Sequence, residues 1–330
     1  MSLLDRRFPT MGVEARLVLA DRAPGVAPSA RLTHAADDAQ QLLQKLHTTW
    51  TRFDDDSPLN QLSRAPRTTV PVADGHLRAL IRAGAYAGRV SGGLVDITLG
   101  AGIAEAGYRG HWDGADAVPI DTALAAAPPR AAATPDPRAR WPALSADDER
   151  KTINKPINTM LDSGGVGKGL AADLVAERLT GLRYVVDVGG DLALGHGGGG
   201  AHLVDVAHPL TGATAHTLKL GTGAVATSGI HRRVWADRFG DPAHHLLDPA
   251  TRRPAWTGLL AATAVGRTAL EAEVLAKTAY LKGPRGARRT LAALGGVLIH
   301  EDGRVEPIPA LRLAARRAVA DAPAPALATA

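Results

Sequence analysis

Residues 161–195 constrain the fold more than any other part of the chain. They begin LDSGGVGKG, run on through LAADLVAERLTGL, and end in YVVDVGGDLALG. The middle stretch has apolar residues at helical spacing, and the last is a buried strand broken by paired glycines. A strand-loop-helix-strand unit of this kind predicts an α/β fold, in the α+β sense of helices packed on mixed sheets.

The loop itself resembles a phosphate-binding loop and departs from both standard ones. A Walker A loop needs GxxxxGK followed by a hydroxyl, but here the glycines are too close together and Gly169 takes the hydroxyl position. The dinucleotide fingerprint GxGxxG fails too, because the glycines fall as GGxGxG. What remains is more general. Glycines let a backbone approach a ligand closely, a helix start near Gly169 offers free amides, and Lys168 adds a cation. These favour an anion such as a pyrophosphate. On this stretch alone, glycines that merely pack a helix against a strand, with Lys168 solvated, are an equal reading.

Other segments fill in the elements. Residues 11–20 alternate like a half-buried strand, and 31–53 carry a helical pattern that runs into TTWTRFDDDS. Residues 76–90 read as a second helix, ending at Ser91-Gly92-Gly93. Strands are predicted at 202–207, 214–220, 259–265 and 296–300, with a helix over 268–282. Residues 107–150 are rich in Pro, Ala and Asp and read as an excursion from one domain spanning 1–315, and 316–330 read as a disordered tail. No internal repeat is evident.

Composition removes several function classes. There is no cysteine, which excludes disulfides, thiolate metal sites, cysteine nucleophiles and a lipidated cysteine. The net charge of +5 is modest for 330 residues, and the arginines are scattered rather than blocked with aromatics, so no nucleic-acid partner is expected. The opening MSLLDRRFPTMGVEARLVLA has charges where a signal peptide needs an apolar run, and no uncharged apolar run is long enough to span a bilayer. A cytoplasmic protein is expected.

The stretch LDSGGVGKGLAAD is followed in order by VVDVGGDLALG, AVATSGIHRR, HHLLDPATRRPAW and EAEVLAKTAYLKG, and preceded by MGVEARL, FDDDSPLNQLS and GGLVDITLG. This succession resembles the ApbE family of flavin transferases, also called FAD:protein FMN transferases, over roughly residues 8–300. The resemblance implies a single α/β domain that binds FAD, uses magnesium, and moves FMN to a threonine or serine hydroxyl of an acceptor flavoprotein, releasing AMP. It also leaves room for relatives that hydrolyse FAD to FMN and AMP, or that bind FAD without transferring it.

By the same resemblance Met11 would lie against the flavin and Phe53 would stack on it. Leu94, Val95 and Asp96 would grip the cofactor, Asp162 would hydrogen-bond FAD, and the backbone of Leu247 would touch it. Lys168 would approach the pyrophosphate, while His245 and Asp248 would line the reacting centre, with His245 as the proton acceptor. Gly165 would turn its carbonyl to the metal. Each has a plain structural alternative: Met11 and Phe53 as core residues, Asp96 and Asp162 as turn caps, and one of the adjacent His244 and His245 facing away.

The family's metal signature, Ala-Asp-Ala-Leu-x-Thr, is altered. Counting back from Gly283 puts Glu273 at the aspartate and Lys277 at the threonine. A protonated lysine cannot ligate a hard cation. Three readings follow. Glu273 and Lys277 pair on an exposed helix, for about 0.2 to 0.5 kcal/mol; Lys277 puts its charge where the metal would lie; or Thr278 donates its hydroxyl, from about 100° around the helix.

Overall fold

The computed structural model describes residues 2–21, 27–112, 114 and 116–311. The tail at 316–330 lies outside them. Its frame is an eight-stranded sheet whose strands, numbered here along the chain, are β1 (Ser2–Thr10), β2 (Val13–Asp21), β3 (Arg183–Val188), β4 (Asp191–His196), β5 (Gly223–Gly229), β6 (Leu259–Gly266), β7 (Gly296–His300) and β8 (Val305–Ile308). They lie in sequence order and every pairing is antiparallel. Helices on antiparallel sheets make this α/β protein one of the α+β kind.

Two tight hairpins set the register. Thr10 pairs with Val13 across Met11 (φ 51°) and Gly12 (φ 69°), and Val188 pairs with Asp191 across Gly189 (φ 63°) and Gly190 (φ 97°). Positive φ at both central residues twists a two-residue turn to match its strands. Glycine adopts it freely, whereas Met11 gives up roughly 1 to 2 kcal/mol to do so. The run predicted as one interrupted strand at 184–195 is therefore β3, a turn and β4. β1 was not among the predicted strands, because its inward positions alternate correctly but hold only Leu4 and Phe8 as large apolar groups, with Asp5, Arg6 and Arg7 between them.

Between β2 and β3 the chain lays down α1 (Ala30–Trp50), α2 (Pro58–Arg64), α3 (Gly75–Ser91) and α4 (Gly167–Ala176), and α5 (Ala269–Leu281) follows β6. α1 starts where the Ser29 hydroxyl accepts from Leu32 N and buries Leu32, Ala36, Ala39, Leu43, Leu46 and Trp50 on one stripe. It ends at Trp50, short of the predicted 53. The Ser57 hydroxyl donates to Thr51 O (2.6 Å), and Asn60 Nδ2 donates to Arg52 O (2.9 Å) and Asp54 O (2.7 Å). These bonds fold 51–57 into a turn that competes with helix continuation and puts Arg52 and Phe53 outside it.

α1, α4 and α5 cover one face of the sheet. The hairpin of His202–Ala207 with Thr214–Leu220 covers part of the other, where Val204 and Val206 pack against Leu194, Val225, Leu260 and Ile299. α5 is buried on nearly every side, as expected of a helix apolar all round. Glu273 and Lys277 are thus charges inside a buried helix, and the exposed-helix pairing does not apply. Residues from the 107–150 segment return to the core: Ala123 and Leu144 are buried there. No helix among the described residues is long and apolar enough to cross a membrane.

Candidate functional site

A cleft opens between the turn after α1, the start of α4 and the segment 245–247. One wall is aromatic. Phe53 meets Tyr108 edge-on (5.6 Å between centroids) and His111 at 4.7 Å, and Tyr108 stacks on Trp235 at 5.5 Å. The Arg52 guanidinium lies over Phe53 at 4.3 Å and over Tyr108 at 5.2 Å. Its Nε is 2.5 Å from Asp162 Oδ2, and Nη2 donates to the Tyr108 carbonyl. Phe53 is only half-buried, which leaves ring surface for a planar ligand.

Asp162 also caps the 163–165 turn, its Oδ1 accepting from Gly164 N at 2.7 Å. Both carboxylate oxygens thus have protein partners. Leu94 and Val95 are buried under the cleft, and Asp96 Oδ1 accepts from the Thr98 amide (2.8 Å) and hydroxyl (2.6 Å). Burial pushes the Asp96 pKa upward against those bonds. Met11, held in its left-handed turn, also borders the cleft, as do Gly165 and Leu247.

The opposite wall is charged. Lys168, in the first turn of α4, pairs with Asp191, the first residue of β4. Lys277 Nζ lies 2.7 Å from Glu273 Oε1, one turn earlier on α5. Glu273 Oε2 accepts from Gly169 N at 2.8 Å. One of the amides that the sequence offered to a ligand at this helix start, that of Gly169, is therefore taken by the chain's own carboxylate. Gly169 is needed there for space: a Cβ would stand 2.5 Å from the Ala269 carbonyl oxygen.

Burial raises the Asp191 pKa to about 6, opposed by Lys168. Burial also works against ionised Glu273, but Lys277, Lys168 and the Gly169 amide outweigh it and hold its pKa below the ordinary value. Lys168 is affected in the same way: burial disfavours its charge, and Asp191 and Glu273 more than restore it. At neutral pH Lys168, Asp191 and Glu273 are charged.

His244 and His245 face opposite ways, as neighbours in extended chain do. His244 is fully buried, edge-on to Trp256 at 4.7 Å, and accepts from Leu246 N at 3.2 Å. His245 borders the cleft. Burial first, then Arg233 and the nearby lysines, push its pKa well below 6.5, so its imidazole is neutral at pH 7. Its Nδ1 is buried without a hydrogen-bond partner.

Two residues weighed from the sequence do not border the cleft. Asp248 does not border the cleft: its Oδ1 accepts from Thr134 N (3.1 Å) and Ala250 N (3.0 Å), closing a turn. Thr278 donates to the Val274 carbonyl at 2.6 Å within α5 and does not reach the cleft. Several residues of the site were unassigned from sequence, His111 and Trp235 among them. Arg52 adjoins Phe53, Asp191 lies inside VVDVGGDLALG, and Arg233 is the last arginine of AVATSGIHRR, so each stood in a stretch already singled out. Tyr108 comes from the low-periodicity segment, where no pattern marks it.

A second groove lies beyond the charged wall, between β2 to β5 and the hairpin at 202–220. Gly164, Lys168, Arg233, His245 and Lys277 border both spaces.

The profile of the ApbE family matches residues 11–299. The chain belongs to the ApbE family. Among curated relatives, the FAD:protein FMN transferase of Treponema pallidum is 27% identical over 311 residues, covering 84% of this chain and 80% of that protein. That of Vibrio cholerae is 24% identical over 276 residues, 81% and 78% of the two chains. In fold, an ApbE protein from Thermotoga maritima superposes with a TM-score of 0.74 at 21% identity, covering 92% of this chain and 96% of that one. The apo flavinyl transferase ApbE of Pseudomonas stutzeri gives 0.71 at 22% identity, over 92% and 94%.

The ApbE resemblance implies a magnesium ion beside Gly165 and α5, and the residues present do not fit one. A hard divalent ion needs about six oxygen donors. Among the described residues no group of three or more His, Asp or Glu is arranged to hold a metal. The one carboxylate at the ApbE metal position, Glu273, has both oxygens engaged, and Lys277 brings N–H donors with no lone pair.

Proposed function

We propose that this ApbE protein transfers the FMN moiety of FAD to a serine or threonine hydroxyl of a partner protein, with AMP as the leaving group. The observation that carries the reading is the junction of the two spaces. A neutral imidazole, His245, stands with Lys168 and Lys277 where an aromatic-walled cleft meets a second groove. Flavin ring on the aromatic wall and pyrophosphate on the charged wall would leave the second groove to the acceptor segment.

The chemistry asked of the chain is phosphoryl transfer to an alcohol, in which positioning and charge stabilisation do most of the work. The acceptor oxygen forms a bond to the FMN-side phosphorus, the bridging oxygen leaves with AMP, and the hydroxyl proton passes to His245. A neutral imidazole is the form that accepts a proton, and such a base contributes about 10²- to 10⁴-fold. Its depressed pKa makes it a weak base in the free protein. Negative charge from a bound pyrophosphate would raise that pKa toward neutrality. Lys168 and Lys277 would balance charge on the nonbridging oxygens. No metal enters this reading, because its donors are otherwise engaged.

The test is incubation of the protein with FAD and an acceptor domain bearing a target threonine. Equimolar AMP and fluorescent flavin-protein adduct are expected. Free FMN in place of the adduct would reassign the activity to FAD hydrolysis, and bound FAD with neither product would leave a flavin-binding protein.

A further inference from the structure

We propose that Lys277 stands in for the divalent cation of the ApbE pattern in holding the FAD pyrophosphate, so that FAD binding by this chain needs no metal. The inference rests on the flavin-transfer reading and concerns the charge at the same site.

Both ion pairs of the charged wall are arranged alike. The Glu273 side chain is 0% exposed and its Lys277 partner 11%; the Asp191 side chain is 2% exposed and its Lys168 partner 20%. Each carboxylate is sealed behind its lysine, so a ligand in the cleft meets ammonium groups. Lys277 and Lys168 both border the cleft and the second groove. Arg233 borders them too and makes no ion pair with a described residue. Three cations and two carboxylates leave a net charge of +1, suited to a polyanion.

Glu273 is in a position to hold a cation, and the cation it holds is covalently part of the chain. Its Oε1 receives Lys277 Nζ and its Oε2 the Gly169 amide. A metal would have to displace the ammonium, which would leave the buried Lys277 without its counter-charge and close to a second cation, Lys168. An i to i+4 pair on a helix with the acid N-terminal is a favoured geometry, so the replacement is also conformationally undemanding.

The experiment combines magnesium calorimetry on the natural protein with FAD binding, read by flavin fluorescence, in excess EDTA and in millimolar magnesium. No saturable magnesium heat is expected, and FAD affinity should differ by less than about twofold between the two conditions. Lys277→Gln should bind FAD about 10- to 100-fold more weakly, the loss of a charged hydrogen bond. The double variant Glu273→Asp with Lys277→Thr should bind FAD weakly in EDTA and recover with magnesium, which a merely structural lysine would not produce. Saturable magnesium binding by the natural protein, or FAD bound only with magnesium, would overturn the inference and leave the flavin reading standing. Failure to bind FAD in either condition would overturn both.

Discussion

The two walls of the cleft are built differently. The aromatic wall is made of rings from distant loops, half-buried Phe53 after α1 with half-buried Tyr108 and exposed His111 from the 107–112 stretch, and one arginine lies over Phe53 and Tyr108. The charged wall is made of residues at the starts and inner faces of regular elements, with carboxylates sealed under lysines. Rings on loops can shift to accommodate a planar ligand. Charges in a packed interior cannot, since every displaced partner leaves an uncompensated ion. In the proposed reading the first wall holds the flavin ring and the second holds the pyrophosphate and carries the reaction, and variants on each side can break that division.

The largest effect is expected from Lys168→Met. Stability should fall by about 3 to 5 kcal/mol, because Asp191 stays buried without its partner, and transfer should be lost. Adding Asp191→Asn should restore most of the stability, measured by denaturant unfolding, without restoring transfer. If the double variant transfers FMN normally, the charged wall is structural only.

Next comes His245→Ala, for which a drop of about 10²- to 10⁴-fold in the transfer rate is expected, with FAD affinity nearly unchanged. The pH profile sharpens this. The His245 pKa lies well below 6.5 in the free protein, so lowering the pH through 6.5 should not protonate it, and a limb of kcat/KM near 6 that vanishes in Asp191→Asn belongs to Asp191 and not to His245. In the FAD complex the added negative charge raises the pKa, so the acid limb of kcat should lie at higher pH than that of kcat/KM. Coincident limbs, or a limb at 6.5 in both, would remove His245 from the proton-accepting role.

Lys168 stood out in the sequence for a physical reason, a cation in a glycine-rich loop at a helix start, whereas His245 was carried by resemblance, the alternation of extended chain saying only that one of His244 and His245 faces away. The charged wall was half visible: Lys168, Glu273 and Lys277 stood out, but Asp191 went unassigned inside its strand run, because a buried acid is recognisable only once its lysine is seen beside it. The aromatic wall was mostly hidden. Phe53 was carried by resemblance alone, and the helical pattern ran through it because the capture of 51–57 by Ser57 and Asn60 has no periodic signal. Tyr108 lies where composition suggested little structure at all. Of the sheet, β2, β3, β4, β6 and β7 were readable by their apolar content, whereas the edge strands β1 and β8 and the central, small-residue strand β5 were not.

A smaller effect is expected from Phe53→Ala on the aromatic wall. FAD binding should weaken about tenfold, or roughly 1.4 kcal/mol, with the rate at saturating FAD little changed, as steady-state kinetics would register. The smallest should come from Asp248→Asn, which keeps an oxygen to accept from Thr134 N and Ala250 N and stands outside the cleft. Transfer within about twofold of the natural protein is expected, and a loss of the size seen for His245→Ala would return Asp248 to the reacting centre.

Riboflavin carries the flavin ring without the pyrophosphate, and its affinity beside that of FAD, in Phe53→Ala and in Lys168→Met with Asp191→Asn, tests the division between the walls most directly. The Phe53 variant should weaken both ligands by the same factor, and the charged-wall variant should weaken FAD while leaving riboflavin unchanged. Equal weakening of riboflavin by the charged-wall variant, or none by Phe53→Ala, would contradict the assignment of ring and pyrophosphate to these two walls.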